Sequence, residues 1–321
     1  MSNSEILNKY LRKLTSLKQG VTTNGKAPHK PILLISIIDL ISQGKITENR
    51  IYVDTDLVAT FQENWKLLVN TLHHPDFTQP FYYLQSDKIE GKQLWFLHPK
   101  PECQINAHIK SAIRLSQVLE YAFLSPDLFL MLTNPNTRYV IRTALIDSYF
   151  PTTKANYIQS KEKGVGYIHD LEKYLLNEPE AQYKQLKIET EEDVFVRGAL
   201  FKKLVPKVYD STCSFTGMRL KSTFGYNFID ACHIVPFSVS QDDKVNNGIA
   251  LCPNLHRAFD RGLISIDNSY RLIISNHIAE IEEHSYSLRN LEGRKIRLPL
   301  NSRYYPSLEN LNWHRKEIFK G

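Results

Sequence analysis

The sequence predicts an α+β protein of two domains, and three observations support that prediction. The 321 residues suffice for two or three domains that each bury a core. Apolar residues at helical spacing alternate with short aromatic segments through the first half of the chain. Farther on, a β-hairpin pattern leads directly into a short helical stretch. We therefore expect an N-terminal domain of helices and short strands, followed by a C-terminal domain built on a ββα unit.

The N-terminal domain is predicted to be mainly helical. Its predicted helices cover residues 4–19, 32–42, 55–72, 114–122, 126–132 and 136–149. Aromatic residues favour two short strands at 80–84 and 93–97, with a turn at Glu90-Gly91. The 32–42 helix is very apolar, so we expect it at the centre of the core.

Composition changes near residue 155 and again near residue 189. We predict a first domain at 1–155, a linker region at 156–188 with a helix near 167–176, and a second domain at 189–321. The linker region is charged and weakly patterned, which is typical of a connection. The second domain is predicted to open with a helix over 191–209, and its polar tail after about residue 285 is expected to pack back on a domain.

Charge and cysteine usage limit the class of protein. The formal net charge of +6 and a pI near 8.9 are compatible with a phosphate-rich partner without identifying one. Four scattered cysteines without a CxxC pair form no disulfide framework, which predicts a reducing cytoplasm and argues against a structural zinc. The polar N-terminus does not resemble a signal peptide, and the longest apolar run, 32–41, is too short to span a membrane.

The ββα unit is predicted from turn and strand signals. Residues 226–235 are apolar and β-rich, and the Asn-Asn-Gly turn at 246–248 precedes a second strand at 249–252. A helical stretch over 255–261 follows and stops at Gly262. The result is a hairpin followed by a short helix.

Four side chains on this unit could form a one-metal phosphodiester-cutting site. His256 and Asp260 lie four residues apart on a helix, so they share a face and can hold one divalent cation. His233, across the hairpin, is placed to act as the general base that activates water. Each residue alone is more often a packed or surface residue, and only the full set with Asn247 favours catalysis.

The spacing of these residues and the segment 247–267 resemble the HNH (ββα-metal) nuclease family. By that resemblance, the catalytic residues are the base His233, the bracing Asn247 and the metal-binding His256, and Asp260 is a second metal ligand. The resemblance also implies one divalent cation, with Mg²⁺ expected and Mn²⁺ or another divalent ion as alternatives.

The chain departs from the family directly before the base. Many members place a metal-binding Asp or His there, where this chain has Cys232. Asp230 lies two residues earlier on the same strand face, and a hard cation prefers its oxygen to a thiolate. We therefore expect Asp230 as the third ligand, with Cys232 as the alternative.

The first 155 residues resemble the sulfur-binding domain of restriction endonucleases that bind phosphorothioated DNA. The segments that carry this resemblance are Ala27–Pro31, Gln79–Leu84, Trp95–Leu97 and Ala144–Pro151. The resemblance implies a DNA-reading domain whose contact residues are Lys26, His29, Lys30, Gln79 and Tyr82. Known readers have Tyr-Pro where this chain has Gln79-Pro80, so a different modification or unmodified DNA could be the target. The structural alternative is that these residues cap a helix and fill a core.

Together these features predict a restriction endonuclease that hydrolyses double-stranded DNA by a one-metal mechanism, in a modification-dependent manner or at an unmodified site. Cutting both strands needs two active sites, so we expect a homodimer. The alternative from another class is a non-catalytic DNA-binding or regulatory protein that retains the fold. The complete set of four site residues argues against that alternative.

Overall fold

The computed structural model describes residues 3–163, 167–176, 190–220, 228–280 and 287–321. Contacts within the chain separate two compact units. The N-terminal unit comprises Met1–Asp170 with Lys187–Val196, and the C-terminal unit comprises Leu171–Leu186 with Arg197–Gly321. None of the helices in the described part of the chain combines the length and apolar character needed to cross a membrane.

The N-terminal unit is mainly helical, with short antiparallel strand pairs. Its helices are α1 (Asn3–Leu14), α2 (His29–Ser42), α3 (Thr55–Leu68), α4 (Thr78–Tyr83), α5 (Ala112–Val118), α6 (Pro126–Thr133), α7 (Pro135–Tyr149) and α8 (Lys154–Glu162). Its paired strands are β1 (Val21–Thr22) with β2 (Gly25–Lys26), β3 (Lys88–Ile89) with β4 (Lys92–Gln93), and β5 (Trp95–Pro99) with β6 (Leu119–Leu124). Two helices, α9 (Tyr167–Leu175) and α10 (Glu191–Val208), have residues in both units.

Helix α2 forms the centre of the N-terminal core, as its apolar sequence predicts. Every residue from His29 to Ile41 is buried, and α2 contacts α3, α4, α6 and α7. Its one buried carboxylate, Asp39, accepts hydrogen bonds from Asn64 Nδ2 (3.1 Å), Arg142 Nε (2.9 Å) and Tyr157 Oη (3.0 Å). A buried charge is tolerated when it is paired and hydrogen-bonded, so this group ties α3, α7 and α8 to the central helix.

The strand predicted at 80–84 is wrong, because that segment is helical. Asp76 Oδ1 accepts hydrogen bonds from the backbone N–H groups of Thr78 (2.9 Å) and Gln79 (3.0 Å), which caps the start of α4. Phe81 is fully buried, and its carbonyl accepts a hydrogen bond from Trp95 Nε1 (2.7 Å). Capping and tertiary packing therefore override the β propensity of the aromatic residues.

The helix predicted over 114–122 is also partly wrong. It ends at Val118, and Leu119–Leu124 form strand β6. This strand pairs with β5 in a register that sets Phe96 opposite Phe123, and Ile51 bridges to Ala122 on its other edge. Partners this distant in sequence leave no local signal. The sequence pattern likewise gives no indication of helix α8, most of which lies in the predicted linker region at 156–188.

The C-terminal unit contains the predicted hairpin followed by a helix. Its elements are β7 (Asp230–His233), α11 (Phe237–Ser240), β8 (Gly248–Leu251), α12 (Pro253–Asp260), β9 (Ile264–Ile266), β10 (Leu272–Ile274) and α13 (Leu308–Glu317). Strands β7 and β8 pair antiparallel, β9 and β10 form a second hairpin, and the C-terminal helix α13 packs on β9. The predicted first strand is longer than β7, and its part at 226–227 lies outside the described residues.

Gly248 allows β8 to approach helix α10 closely. A Cβ atom at this position would lie 2.6 Å from Val205 Cγ2 and 2.9 Å from the Phe201 ring. Gly248 is paired with His233 across the hairpin. The absence of a side chain here therefore lets the Phe201 ring pack beside the histidine that sequence analysis singles out.

Candidate functional site

Strand β7 and helix α12 bring the predicted metal ligands together. His256 Nδ1 lies 3.2 Å from Asp230 Oδ2, and His256 Nε2 lies 3.3 Å from Asp260 Oδ2. Asp230 and Cys232 are two residues apart, so they lie on the same face of strand β7, while His256 and Asp260 lie one turn apart on helix α12. The imidazole of His256 is therefore flanked by two carboxylates at one surface of the unit.

The donor groups at this surface suit a divalent cation. One ligand atom each from Cys232, His256 and Asp260 lies within 4.8 Å of the others. Cys232 is fully buried, its Sγ donates a hydrogen bond to Asp260 Oδ1 (3.6 Å), and burial followed by the Asp260 charge raises the pKa of the thiol. A thiol offers a soft sulfur donor, whereas carboxylate and imidazole donors fit Mg²⁺ or Mn²⁺. The choice between Asp230 and Cys232 as third ligand stays a prediction.

Asn247 is fully buried and closes the loop that follows the predicted base. Its Oδ1 accepts hydrogen bonds from the Val235 N–H (3.0 Å) and from Asn310 Nδ2 (2.9 Å). Its Nδ2 donates to the carbonyl oxygens of Val235 (2.9 Å) and Asp242 (2.9 Å). These contacts join Asn247 to both ends of the segment from Val235 to Asp242, and its predicted bracing role stays a prediction.

His233 lies on β7 between an aromatic ring and a carboxylate. Its ring stacks on Phe201, with the centroids 3.8 Å apart and the planes 7° from parallel. Its Nε2 lies 2.9 Å from Oδ1 of the buried Asp243. Asp243 is not among the residues predicted from the sequence, although a carboxylate in the loop between His233 and Asn247 could have indicated it.

The residues predicted to contact DNA lie in the N-terminal unit, and three of the five line one cavity. The cavity measures about 640 Å³, and His29, Lys30 and Gln79 contribute to its wall. Further lining residues, which sequence analysis did not select, include Lys18, Asn24, His73, Asp76 and Tyr83. Lys26 and Tyr82 are not part of the wall.

His29 and Lys30 both have partners within the protein. His29 Nε2 donates to the His74 carbonyl (2.8 Å), and burial lowers the pKa of the imidazole. Lys30 Nζ contacts Asp87 Oδ2 at 2.7 Å, in a pair that is almost fully buried. The proposed DNA contact of Lys30 therefore competes with the Asp87 carboxylate, and it stays a prediction.

Lys26 and Tyr82 differ from each other in exposure. Lys26 lies exposed on β2, whereas Tyr82 is half-buried and donates from its hydroxyl to the Asn106 carbonyl (3.1 Å). An exposed lysine can reach a phosphate without losing a buried partner. Lys26 is thus the better placed of the two lysines for contact with a DNA backbone.

Comparison with known proteins identifies the C-terminal site region. Residues 213–267 match the family described as HNH endonuclease, so the chain carries an HNH domain in this unit. This match includes β7, β8 and α12 with the residues His233, Asn247, His256 and Asp260.

Two restriction enzymes show distant similarity. The Type IV methyl-directed restriction enzyme EcoKMcrA of Escherichia coli (strain K12) is 26% identical over 120 residues, which cover 37% of this chain and 41% of that protein. This chain thus spans less than half the length of that relative. The solved structure of the Modification dependent TagI restriction endonuclease matches with 22% identity and a TM-score of 0.30, over 38% of this chain and 39% of that one.

Proposed function

We propose that this HNH-domain protein is a metal-dependent restriction endonuclease that hydrolyses phosphodiester bonds of double-stranded DNA. The observation that carries the proposal is the assembly of His233, Asn247, His256 and Asp260 on one hairpin and helix within the HNH match. The exposed carboxylates of Asp230 and Asp260 beside His256 would repel a phosphate unless a cation were bound between them.

In this proposal His233 is the general base. It takes a proton from water as the water oxygen bonds to phosphorus and the bond to the leaving sugar oxygen breaks. Asn247 holds the loop behind the base. His256 and Asp260, with Asp230 or Cys232, would hold the divalent cation, which would supply positive charge to the phosphate and the leaving oxygen.

The N-terminal unit is proposed to recognise the DNA, with contacts from Lys26, His29, Lys30, Gln79 and Tyr82. The cavity next to the Gln79 segment has the volume of a small-molecule site and combines aromatic, imidazole and amide groups. Such a wall can discriminate a modified nucleotide from an unmodified one. Similarity to a methyl-directed enzyme favours modified DNA, and cleavage of both strands favours a homodimer.

Cleavage of matched duplexes tests the proposal. The full chain is incubated with unmodified, methylated, hydroxymethylated and phosphorothioated DNA of one sequence, in Mg²⁺ or Mn²⁺. We expect cutting of at least one duplex, its loss on chelation, and a decrease on the order of 10²–10⁴ in His233→Ala. Equal cutting of all duplexes would favour an enzyme for unmodified DNA. DNA binding without any cutting would favour the non-catalytic alternative.

A further inference from the structure

The imidazole of His233 is held in one orientation by two neighbours outside the predicted catalytic set. Phe201 on helix α10 covers its face, and Asp243 accepts a hydrogen bond at one edge. The Asp243 side chain is 1% exposed, whereas that of His233 is 25% exposed. The histidine therefore stays partly accessible while its Nε2 edge faces a buried carboxylate.

The Asp243 contact selects one tautomer of the neutral imidazole. A carboxylate can only accept hydrogen bonds, so His233 Nε2 must carry the proton at 2.9 Å from Oδ1. The other nitrogen, Nδ1, then has a free lone pair, and it makes no hydrogen bond to the described residues. A general base needs that lone pair to accept a proton from water.

Arg197 is a positively charged neighbour of the Asp243 carboxylate. Its Nε lies 4.0 Å from Asp243 Oδ2, and both side chains are almost fully buried. A buried carboxylate is costly without a compensating positive charge, and the guanidinium of Arg197 offsets part of that cost.

We propose that Asp243 is the positioning residue of the catalytic base, which fixes the Nε2-protonated tautomer of His233 so that Nδ1 accepts the proton of the attacking water. This inference rests on the proposed nuclease function and assigns a residue that its motif does not contain. Asp243 touches neither substrate nor metal in this scheme. It acts through His233, in the way that a third group orients a base beside a nucleophile.

The test compares Asp243→Asn with Asp242→Asn in the full chain. Asp242 is the adjacent aspartate, and its carboxylate accepts from the Lys244 N–H rather than from His233. Both changes remove one negative charge and keep side-chain size. Three quantities are measured: the single-turnover cleavage rate at saturating DNA, DNA affinity in Ca²⁺, and the tautomer of His233 by ¹⁵N NMR of the metal-free protein.

We expect Asp243→Asn to lower the saturated rate by on the order of 10²-fold, because an amide can present either its oxygen or its nitrogen to the ring. DNA affinity should stay within about twofold, and the Nε2–H signal of His233 should give way to a tautomer mixture. Asp242→Asn should match the wild type in all three measurements.

The outcomes separate this inference from the proposed function. A wild-type rate or an unchanged His233 tautomer in Asp243→Asn, with active wild-type protein, overturns the role of Asp243 alone. A decrease in rate that is matched by an equal loss of DNA affinity also overturns the role of Asp243, because positioning of the base affects a step after DNA binding. Failure of the wild type to cut any duplex overturns the proposed function and this inference together.

Discussion

The thiol of Cys232 occupies the position at which related nucleases often place a metal ligand. Here the thiol is buried and hydrogen-bonded to Asp260, and burial raises its pKa. A soft sulfur donor adds little to the binding of a hard cation, whereas the Asp230 carboxylate is nearly half exposed and adjacent to His256. At the scale of single residues, the carboxylate is the better candidate for the third ligand.

Metal titration of four variants checks this assignment. We expect His256→Ala and Asp260→Ala to weaken Mn²⁺ binding by on the order of tenfold or more. Mutation of residues that only hydrogen-bond to a metal ligand already lowers metal affinity by about that factor, and a ligand itself should matter at least as much. Asp230→Asn should weaken binding more than Cys232→Ser does. Calorimetric titration of the full chain measures the affinities. Unchanged affinity in both His256→Ala and Asp260→Ala would place the cation elsewhere, and a larger effect of Cys232→Ser would assign the thiol.

His314 is a second residue whose ionisation the fold controls. Its Nε2 donates to the Phe259 carbonyl (3.1 Å), its Nδ1 lies 2.9 Å from Ser265 Oγ, and its ring stacks on Phe259. Burial lowers the pKa of His314 to about 4. The neutral ring thus joins α13 to α12 and β9.

Stability of the C-terminal unit should therefore depend on pH. In the unfolded chain His314 binds a proton at about pH 6.5, whereas in the folded chain it does so only at about pH 4. The neutral His314 therefore contributes its full share to the free energy of unfolding above about pH 6.5, and this share is lost as the pH falls to about 4. The loss amounts to about 3 kcal/mol across this window. Histidine NMR titration gives the pKa directly, and urea unfolding of wild type and His314→Gln gives the pH dependence. An ordinary pKa near 6.5 for His314 would contradict the prediction.

At the scale of elements, the end of α12 is fixed by a glycine. Gly262 has φ +72°, and a Cβ atom there would lie 1.9 Å from the Ile318 carbonyl oxygen. The Gly262 carbonyl also accepts a hydrogen bond from the Lys320 N–H (2.9 Å). The C-terminal segment can pack against the end of the site helix only because this position has no side chain.

Replacement of this glycine should destabilise the C-terminal unit. Gly262→Ala combines left-handed backbone strain with overpacking against backbone, so we expect a loss of about 2–4 kcal/mol in the free energy of unfolding. Gly293→Ala is the control, because Gly293 has φ +69° but a Cβ atom there would meet none of the described residues within 4 Å. It should lose only about 1 kcal/mol. Denaturant unfolding of both variants measures the difference, and equal losses would mean that the Ile318 contact is easily relieved.

At the scale of the whole molecule, the two lysines predicted to contact DNA, Lys26 and Lys30, should respond differently to substitution. Lys26 is exposed, while Lys30 pairs with the buried Asp87. Burial alone would raise the pKa of Asp87, but hydrogen bonds from Lys13 and Lys30 outweigh this effect and lower it. The lysine pairs thus stabilise a buried carboxylate that also holds the Lys18 N–H (3.0 Å).

We expect Lys26→Ala to weaken DNA binding by the full chain without changing stability by more than about 0.5 kcal/mol. The salt dependence of affinity should become shallower, because one fewer phosphate is neutralised. Lys30→Ala should instead destabilise the protein by about 2–4 kcal/mol, because Asp87 loses a buried partner. Gel shifts over a salt series and thermal unfolding measure the two effects. Unaltered stability of Lys30→Ala would indicate that Lys13 alone satisfies Asp87.

Local sequence patterns were sufficient to predict the central apolar helix and the hairpin followed by a helix, whereas the four candidate HNH residues were selected by their resemblance to the nuclease family. These features depend on spacing within short segments. The apolar run of α2 is buried wherever the core forms, and His256 and Asp260 share a face because a helix has 3.6 residues per turn. The strands and the helix that carry the four candidate residues are therefore those that the local pattern indicates, and the roles of the residues stay a prediction.

The side chains that surround those residues are set by contacts between distant segments. Strand β6 depends on pairing with β5, and α4 depends on an Asp76 cap and on aromatic packing. Asp243 reaches His233 because the Asn247 hydrogen bonds close the loop between them. The contact between Lys30 and Asp87 joins segments far apart in sequence, and such contacts carry no periodic signal. The contact between His233 and Asp243 spans only ten residues, but it depends on how the loop between them closes, which only the folded chain shows.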